Sequence, residues 1–330
     1  MVALLIILHS FFNNPSHRPD SLQTFHINGY AQGTSYSLTY VASQPLVSKT
    51  EIDQLLQSID SSLSLYKSFS LISAFNKSSK GIKIDHHLET VVKKAIEVSA
   101  ITNGAFDISC KPIIQLWNNQ KKPDIPPAKD DIRKTLAHTG FQHLILKQDS
   151  LLKDHPNVQI DCDGIAQGYS VDQLASIFIK KNIKDFIIEL GGEIFASGHP
   201  INRPNWQIAI QSTAHQLDDI SKWKVALNDK SITTSGSMNK FIQLGNQYFS
   251  HVVNPITGYP VSNKIIAVTV IANDAITADA LDNALMVMGI EKAFQWVKKY
   301  PDLGIYIQYV DEKGIVRETT NSEMKKYMLN

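Results

Sequence analysis

The segment that most constrains the fold is Ala275–Met288, AITADALDNALMVM. Apolar residues surround its few polar ones, which predicts a helix buried against other parts of the protein. Asp279, Asp282 and Asn283 are spaced i, i+3 and i+4, so a helix places all three on one side. A solvated polar stripe would have the same spacing, but the apolar neighbours disfavour it. Three oxygen-bearing side chains on one helix turn predict a site for a hard cation such as Mg²⁺.

The rest of the chain mixes helical and strand patterns without strict alternation. This mixture favours an α+β fold, with mixed sheet layers flanked by helices, over a doubly wound sheet. Residues 118–131 carry three prolines and no periodicity, and are predicted to form a surface loop. Apolar spacing predicts further helices at 50–65, 86–102, 165–181 and 291–300, a strand pair at 25–42, and strands at 142–147, 185–190, 206–210, 248–253, 265–271 and 304–310.

Composition excludes several classes of protein. With 330 residues, 43% of them hydrophobic, the chain can bury a sizeable core, which argues against long-range disorder. Lys and Arg number 32 against 31 Asp and Glu, so net charge draws the protein neither to nucleic acid nor to an anionic membrane. Cys110 and Cys162 are too few for a disulfide framework, and the sequence leaves open whether they pair.

The N-terminus begins with an apolar run at residues 2–8, followed by Phe11 and Phe12. The run is too short to span a bilayer as a helix. It resembles the apolar part of an export signal, although no basic residue precedes it and no small-residue cleavage site follows it. We predict that residues 1–20 are an export signal, with a disordered N-terminus as the alternative, and that residues 21–330 form the functional domain.

Four short motifs place glycines and small polar residues where a ligand can approach the backbone closely. They are TNGAFD at 102–107, DCDGIAQG at 161–168, ELGG at 189–192 and TTSG at 233–236. In the second motif, a strand ends in acidic residues and a glycine leads into a helix, whose free amides suit a phosphate. Turn formation and capping explain each motif taken alone, but capping hardly explains both Asp161 and Asp163.

The next motif is HVVNPITGYP at 251–260. Asn-Pro followed by Thr-Gly predicts a tight turn. A lone histidine is more often structural than catalytic. Because His251 lies three residues before this rigid turn, we interpret it as a catalytic base or an orienting donor.

In their order and spacing, these motifs and the acidic helix resemble the ApbE family, the FAD:protein FMN transferases. GYAQGT at 29–34 and SLY at 64–66 with Asn76 add to the resemblance. The family usually has Thr at the position of Asn283 and Asp at that of Asn254. The resemblance implies that His251 is needed for transfer and that Mg²⁺ is bound by Asp279, Asp282, Asn283 and the carbonyl of Ala166. The FAD contacts it implies are Gln32, Tyr66, Ala105, Phe106, Asp107, Asp161, Gln167, Ser235 and Gly236.

The activity that the resemblance implies is cleavage of FAD at its pyrophosphate. The FMN half is joined through its phosphate to a Thr or Ser hydroxyl of a target flavoprotein, and AMP leaves. The expected partner is a flavoprotein such as a subunit of a membrane redox complex. The expected location is the periplasm or cell envelope of a bacterium, with the N-terminus as a membrane tether. Three alternatives stay open: an Mg²⁺-dependent FAD pyrophosphatase, a non-catalytic FAD-binding or storage protein, and a periplasmic binding module.

Overall fold

The computed structural model describes residues 21–120, 126–210, 223–236, 252–261 and 263–329, together with the backbone of 241–244 and 247–250. The predicted export segment at 1–20 and the predicted catalytic His251 lie outside the described residues. Within the described ranges, no helix is both long enough and apolar enough to cross a membrane.

The strands are β1 Gln23–Ala31, β2 Thr34–Ala42, β3 Gly81–Lys83, β4 Leu144–Lys147, β5 Ser150–Lys153, β6 Phe186–Leu190, β7 Glu193–Ser197, β8 Trp206–Ile210, β9 Trp223–Leu227, β10 Lys230–Gly236, β11 Phe241–Leu244, β12 Gln247–Ser250, β13 Ile265–Ala272, β14 Gly304–Val310, β15 Val316–Thr320 and β16 Met328–Leu329. The helices are α1 Lys49–Leu63, α2 Leu71–Lys77, α3 His86–Ile101, α4 Lys111–Asn118, α5 Lys129–Leu136, α6 Ala166–Lys180, α7 Ala275–Met288, α8 Ile290–Val297 and α9 Ser322–Tyr327.

One eight-stranded sheet organises the molecule, in the order β1-β2-β6-β7-β10-β13-β14-β15. Every neighbouring pair in it is antiparallel. Smaller sheets, β3-β5-β4, β8-β9-β16 and β11-β12, are joined to it by the chain. The predicted α+β class, with sheet layers flanked by helices, is confirmed.

Strand β13 shows that the large sheet is covered on both faces. All of its residues are buried, as expected of a strand between two layers. Val268 and Val270 pack in the same core cluster as Leu281 of α7. Ile271 points to the opposite face and packs in a cluster with Trp206 of β8. Helix α7 therefore lies on one face of the large sheet, and the β8-β9-β16 sheet together with α9 covers the other.

Helices α6 and α7 lie against each other on the helical face of the sheet. Gly168 allows their close approach, because a Cβ at this position would lie only 2.7 Å from the Cβ of Asp279. Side chains of α6, such as Leu174 and Phe178, pack with Leu38 of β2. The two helices thus bring the DCDGIAQG motif at 161–168 and the acidic residues of α7 to one place above the sheet.

Two local predictions need correction. The predicted loop at 118–131 ends earlier, because α5 begins at Lys129. The predicted strand at 142–147 begins with a 3₁₀ turn, Phe141–His143, before β4. In both places the polar sequence has no apolar period, so the helical turns are set by contacts elsewhere, such as burial of Ile132.

Candidate active site

The acidic residues of α7 are buried where that helix crosses the sheet. Asp279 is 5% exposed and Asp282 is 1% exposed. Asp279 accepts a hydrogen bond from the backbone amide of Gly168, at 2.9 Å. Asp282 accepts one from the hydroxyl of Ser235 on β10, also at 2.9 Å. These donors hold both carboxylates in fixed positions at the start of α6 and the end of β10.

A third buried carboxylate, Glu193 at the start of β7, faces this pair from the sheet. Its side chain is 8% exposed, and its Oε2 has no hydrogen-bond partner among the residues that the structure describes. Burial raises the pKa of Asp279 well above its usual value, and the charges of Glu193 and Asp282 raise it further. Burial likewise raises the pKa of Asp282, against the lowering effect of the hydroxyls of Thr233 and Ser235. Burial also raises the pKa of Glu193 to about 7.

These three carboxylates form no ion pair with Lys, Arg or His in the part of the chain that the structure describes. Buried carboxylates are normally paired or bound to a metal, so their chemistry fits a hard divalent cation. The described residues contain no group of three or more His, Cys, Asp or Glu arranged to hold a metal by themselves. Carbonyl, water or phosphate oxygens would have to complete the coordination.

Two of the other predicted metal ligands already have partners within the protein. The side-chain amide of Asn283 donates from Nδ2 to Asp282 Oδ1 and to the carbonyl of Asp279, both at 3.0 Å. The carbonyl of Ala166 accepts from the hydroxyl of Ser170 at 2.8 Å. A Cβ added to Gly164 would lie 3.1 Å from Asn283 Nδ2. The loop before α6 therefore meets Asn283 at Gly164.

A cleft of about 730 Å³ opens beside this acidic cluster. A second hollow of about 440 Å³ continues it and shares Leu65, Tyr66 and Asp163 with it. Both volumes lie in the range of small-molecule sites. The larger cleft has polar and apolar walls, with Asn283 in its lining.

Most of the predicted FAD contacts line these two hollows. The larger cleft includes Tyr66, Ala105, Phe106, Asp107 and Asp161. The smaller hollow includes Gln32, Tyr66 and Gln167, together with Ala166. Ser235 and Gly236 line neither hollow, and Ser235 instead bonds to Asp282.

Tyr66 stands at the junction of the two hollows with its ring open to solvent. Its side chain is 90% exposed, an unusual position for a large aromatic residue. The negative charge of Asp163 raises the pKa of Tyr66, with smaller effects of burial and Asp161. An open aromatic face next to a cleft can stack on a planar ligand ring.

Asp107 mainly holds the cleft wall together. Its Oδ1 accepts from the amide and hydroxyl of Ser109, at 2.8 and 2.7 Å, and its Oδ2 accepts from the amide of Phe141 at 2.7 Å. Burial raises its pKa, which these hydrogen bonds lower. The turn-forming interpretation of this motif therefore describes its carboxylate well.

The start of α6 differs from the expected phosphate site. Asp161 Oδ1 accepts from the amide of Asp163, which forms a local turn. The amide of Gly168, one of the first in the helix, donates to Asp279. The carboxylate of Asp279 therefore caps the start of α6, and the amide of Gly168 is not free for a ligand.

The turn after His251 has the predicted form. Asn254 Oδ1 accepts from the amides of Ile256 and Thr257, at 2.9 and 3.2 Å. An amide oxygen is sufficient for these bonds, so Asn maintains the turn without the charge of Asp. Val252 and Val253 line the larger cleft, so the segment that follows His251 borders it.

Sequence reasoning missed Glu193 and Gly164, and gave Asp172 no role. Glu193 follows the ELGG motif directly, and the interpretation of that motif stopped at its glycines. Gly164 lies inside the DCDGIAQG motif, two residues before Ala166, whose carbonyl is the predicted metal ligand. A carboxylate at the start of a buried strand was the available signal for Glu193, because such positions rarely hold an unpaired charge.

Comparison with known proteins places this fold in a class of α+β transferases. A relative from Vibrio cholerae serotype O1, named FAD:protein FMN transferase, is 33% identical over 276 residues, covering 81% of this chain and 82% of the relative. The solved flavin transferase ApbE from Vibrio cholerae has a TM-score of 0.82 and 30% identity, covering 93% of this chain and all of that one. The apo form of the Pseudomonas stutzeri flavinyl transferase ApbE has a TM-score of 0.82 and 27% identity, covering 93% and 97%.

The sequence matches the ApbE family over residues 32–307. This chain belongs to the ApbE family. The family resemblance, the α+β fold and the transferase class predicted from the sequence are confirmed.

Proposed function

We propose that this chain is an Mg²⁺-dependent FAD:protein FMN transferase that releases AMP. The observation that carries the proposal is a buried acidic pair, without a cationic partner in the described ranges, beside a cleft lined by predicted FAD contacts. The names of the family relatives support the same activity. Because a pyrophosphate brings negative charge to the cleft, the carboxylates suit it only if a cation lies between them.

Tyr66 and the acidic pair have separate roles in holding the substrate. We assign a planar ring of FAD to the exposed face of Tyr66, where the two hollows meet. Asp279 and Asp282 supply oxygen ligands to the cation, and the donors from Gly168 and Ser235 keep these oxygens in place. Bound Mg²⁺ supplies neutralisation of the pyrophosphate charge and of the charge that develops on the leaving AMP.

Transfer exchanges one phosphorus–oxygen bond for another. The hydroxyl oxygen of a Thr or Ser in the target flavoprotein bonds to the phosphorus on the FMN side. The bond from that phosphorus to the bridging oxygen breaks, and AMP leaves with this oxygen. We assign the proton of the hydroxyl to His251, which precedes the cleft-lining Val252 in the chain.

We further propose that the protein acts in the bacterial cell envelope, on a partner such as a subunit of a membrane redox complex. The apolar run at residues 2–8 supports export. Cell fractionation followed by mass spectrometry of the N-terminal peptide tests this. Recovery of the unprocessed protein in the cytoplasmic fraction alone would refute it.

The test of the activity is incubation of the purified full-length protein with FAD, Mg²⁺ and a target flavoprotein domain. Mass spectrometry should show an FMN adduct on the domain, with release of AMP. Free FMN and AMP without an adduct would show hydrolysis and refute transfer. Bound FAD without products would refute catalysis and leave the storage alternative.

The variant His251→Ala tests the assigned base. We expect it to bind FAD as the wild type does and to form no adduct. His199→Ala is the matched control. His199 is exposed and follows the C-terminal end of β7, whereas Glu193 lies at the N-terminal end of that strand. Adduct formation by His251→Ala at the wild-type rate would contradict the assignment.

A further inference from the structure

We infer that Asp172 is a positioning residue that fixes α7, and with it Asp279 and Asp282, against α6. The inference rests on the proposed function for the identity of the bound cation. Asp172 lines neither hollow of the cleft. Its effect on the reaction is therefore exerted through the helix that it holds.

The start of α7 is held by two carboxylates of different origin. The amides of Ala275 and Ile276 donate to Asp172 Oδ1 and Oδ2, at 2.8 and 2.9 Å. The amide of Thr277 donates to Asp274 Oδ1 at 2.9 Å. The first amides of a helix have no acceptor within the helix, so all three need an outside partner. Asp274 precedes α7 directly and moves with it, whereas Asp172 belongs to α6.

The link between the helices is reciprocal. Asp172 of α6 caps the start of α7, and Asp279 of α7 caps the start of α6 through the amide of Gly168. The two links are separated by four residues on α6, about 6 Å along its axis. Two attachments at this spacing fix both the sliding and the rotation of α7 relative to α6.

This geometry ties the position of the acidic pair to Asp172. Asp279 lies four residues after Ala275, and Asp282 lies two turns along the same helix. Loss of the Asp172 link leaves, among the described residues, the bond from Gly168 to Asp279 as the remaining hydrogen bond between α6 and α7, and that bond ends at a carboxylate assigned to the cation. Residues that orient metal ligands typically change metal affinity by about 10- to 100-fold when they are replaced.

The variants Asp172→Asn and Asp274→Ala separate positioning from helix capping. Asn keeps the shape of Asp172 but turns an NH₂ towards one of the two amides. Asp274→Ala removes a cap from the same helix start and leaves the link between the helices intact. A cavity of about 250 Å³ beside Asp172 leaves room for the replacement.

Mn²⁺ binding to the full-length protein without FAD, followed by electron paramagnetic resonance, is the first measurement. We expect Asp172→Asn to bind Mn²⁺ about tenfold more weakly. Asp274→Ala should melt at a lower temperature and bind Mn²⁺ as the wild type does. Wild-type affinity in Asp172→Asn, or an equal loss in both variants, would overturn the inference.

Hydrogen exchange distinguishes failure of this inference from failure of the proposed function. A folded wild type that binds no Mn²⁺ would refute the metal dependence of the proposed function. The inference is then decided by amide exchange in α7 and at Gly168, which Asp172→Asn should speed and Asp274→Ala should change only in the first turn of α7. Unchanged exchange at Gly168 in Asp172→Asn would overturn it.

Discussion

Replacing Gly168 with Ala pushes α6 and α7 apart by a distance that the structure bounds from below. The new Cβ would lie 2.7 Å from the Cβ of Asp279, and closer still to the carbonyl of Ala275. Ordinary contact begins at 3.4 Å, so α7 has to move by at least about 0.7 Å in this packed interior. Since the carbonyl belongs to the backbone, no side-chain rotation relieves the clash.

We expect the free energy of unfolding to fall by about 1–3 kcal/mol, as in other overpacked interiors. We expect the transfer rate to fall by about 10- to 100-fold, because a displacement approaching 1 Å moves both Asp279 and Asp282. The assay combines thermal unfolding, Mn²⁺ affinity and the rate of FMN-adduct formation measured by mass spectrometry. Loss of rate in protein that is still folded is the informative result.

The matched control is Gly314→Ala, in the turn between β14 and β15. A Cβ there meets no atom within 4 Å, but the φ of 77° makes the replacement strained. It should cost about 1 kcal/mol of stability and leave transfer unchanged. If Gly168→Ala behaves like this control, retaining wild-type transfer and Mn²⁺ affinity, the role given to the contact is wrong.

Three further predictions concern charge, the cleft and its wall. Without a divalent cation, stability should fall as pH rises from about 4 to about 7, because the folded protein holds protons on raised-pKa groups such as Glu193 that the unfolded chain releases; calorimetry with EDTA and with Mg²⁺ checks this, and an equal fall with Mg²⁺ would contradict it. Tyr66→Ala should weaken FAD binding about tenfold by titration calorimetry, with a stability change below about 0.5 kcal/mol because the ring is exposed; unchanged affinity would exclude stacking. Asp107→Asn should lower the free energy of unfolding in urea by about 1–3 kcal/mol, since the carboxylate accepts from Ser109 and Phe141; wild-type stability would show that these bonds are dispensable.

Elements with a strong apolar period were predictable from the sequence. The helix at Ala275–Met288 and the strand at Trp206–Ile210 have the bounds that their patterns predict. Elements without such a period were not predicted, and α5 and β7 are examples. In α5 only Ile132 is buried, and it packs with Ile113 and Trp117, so tertiary contacts order a helix that its sequence does not indicate.

The candidate site was predictable in part, for the same reason. The spacing of Asp279 and Asp282 depends only on the geometry of one helix, so the sequence alone predicts that they face one way. Most predicted cofactor contacts were assigned through family resemblance, and their arrangement around two hollows follows from the packing of separate segments.

The sequence by itself determined the acidic face of α7, the glycine motifs, the α+β class and the family. Only the tertiary structure decided that Glu193 faces this helix from the sheet and that α6 and α7 cap each other through Asp172 and Asp279. The physical reason is separation along the chain. Helical spacing is a local property of consecutive residues. These partners are separated by roughly a hundred residues, and they meet only because strand order and helix packing bring them together.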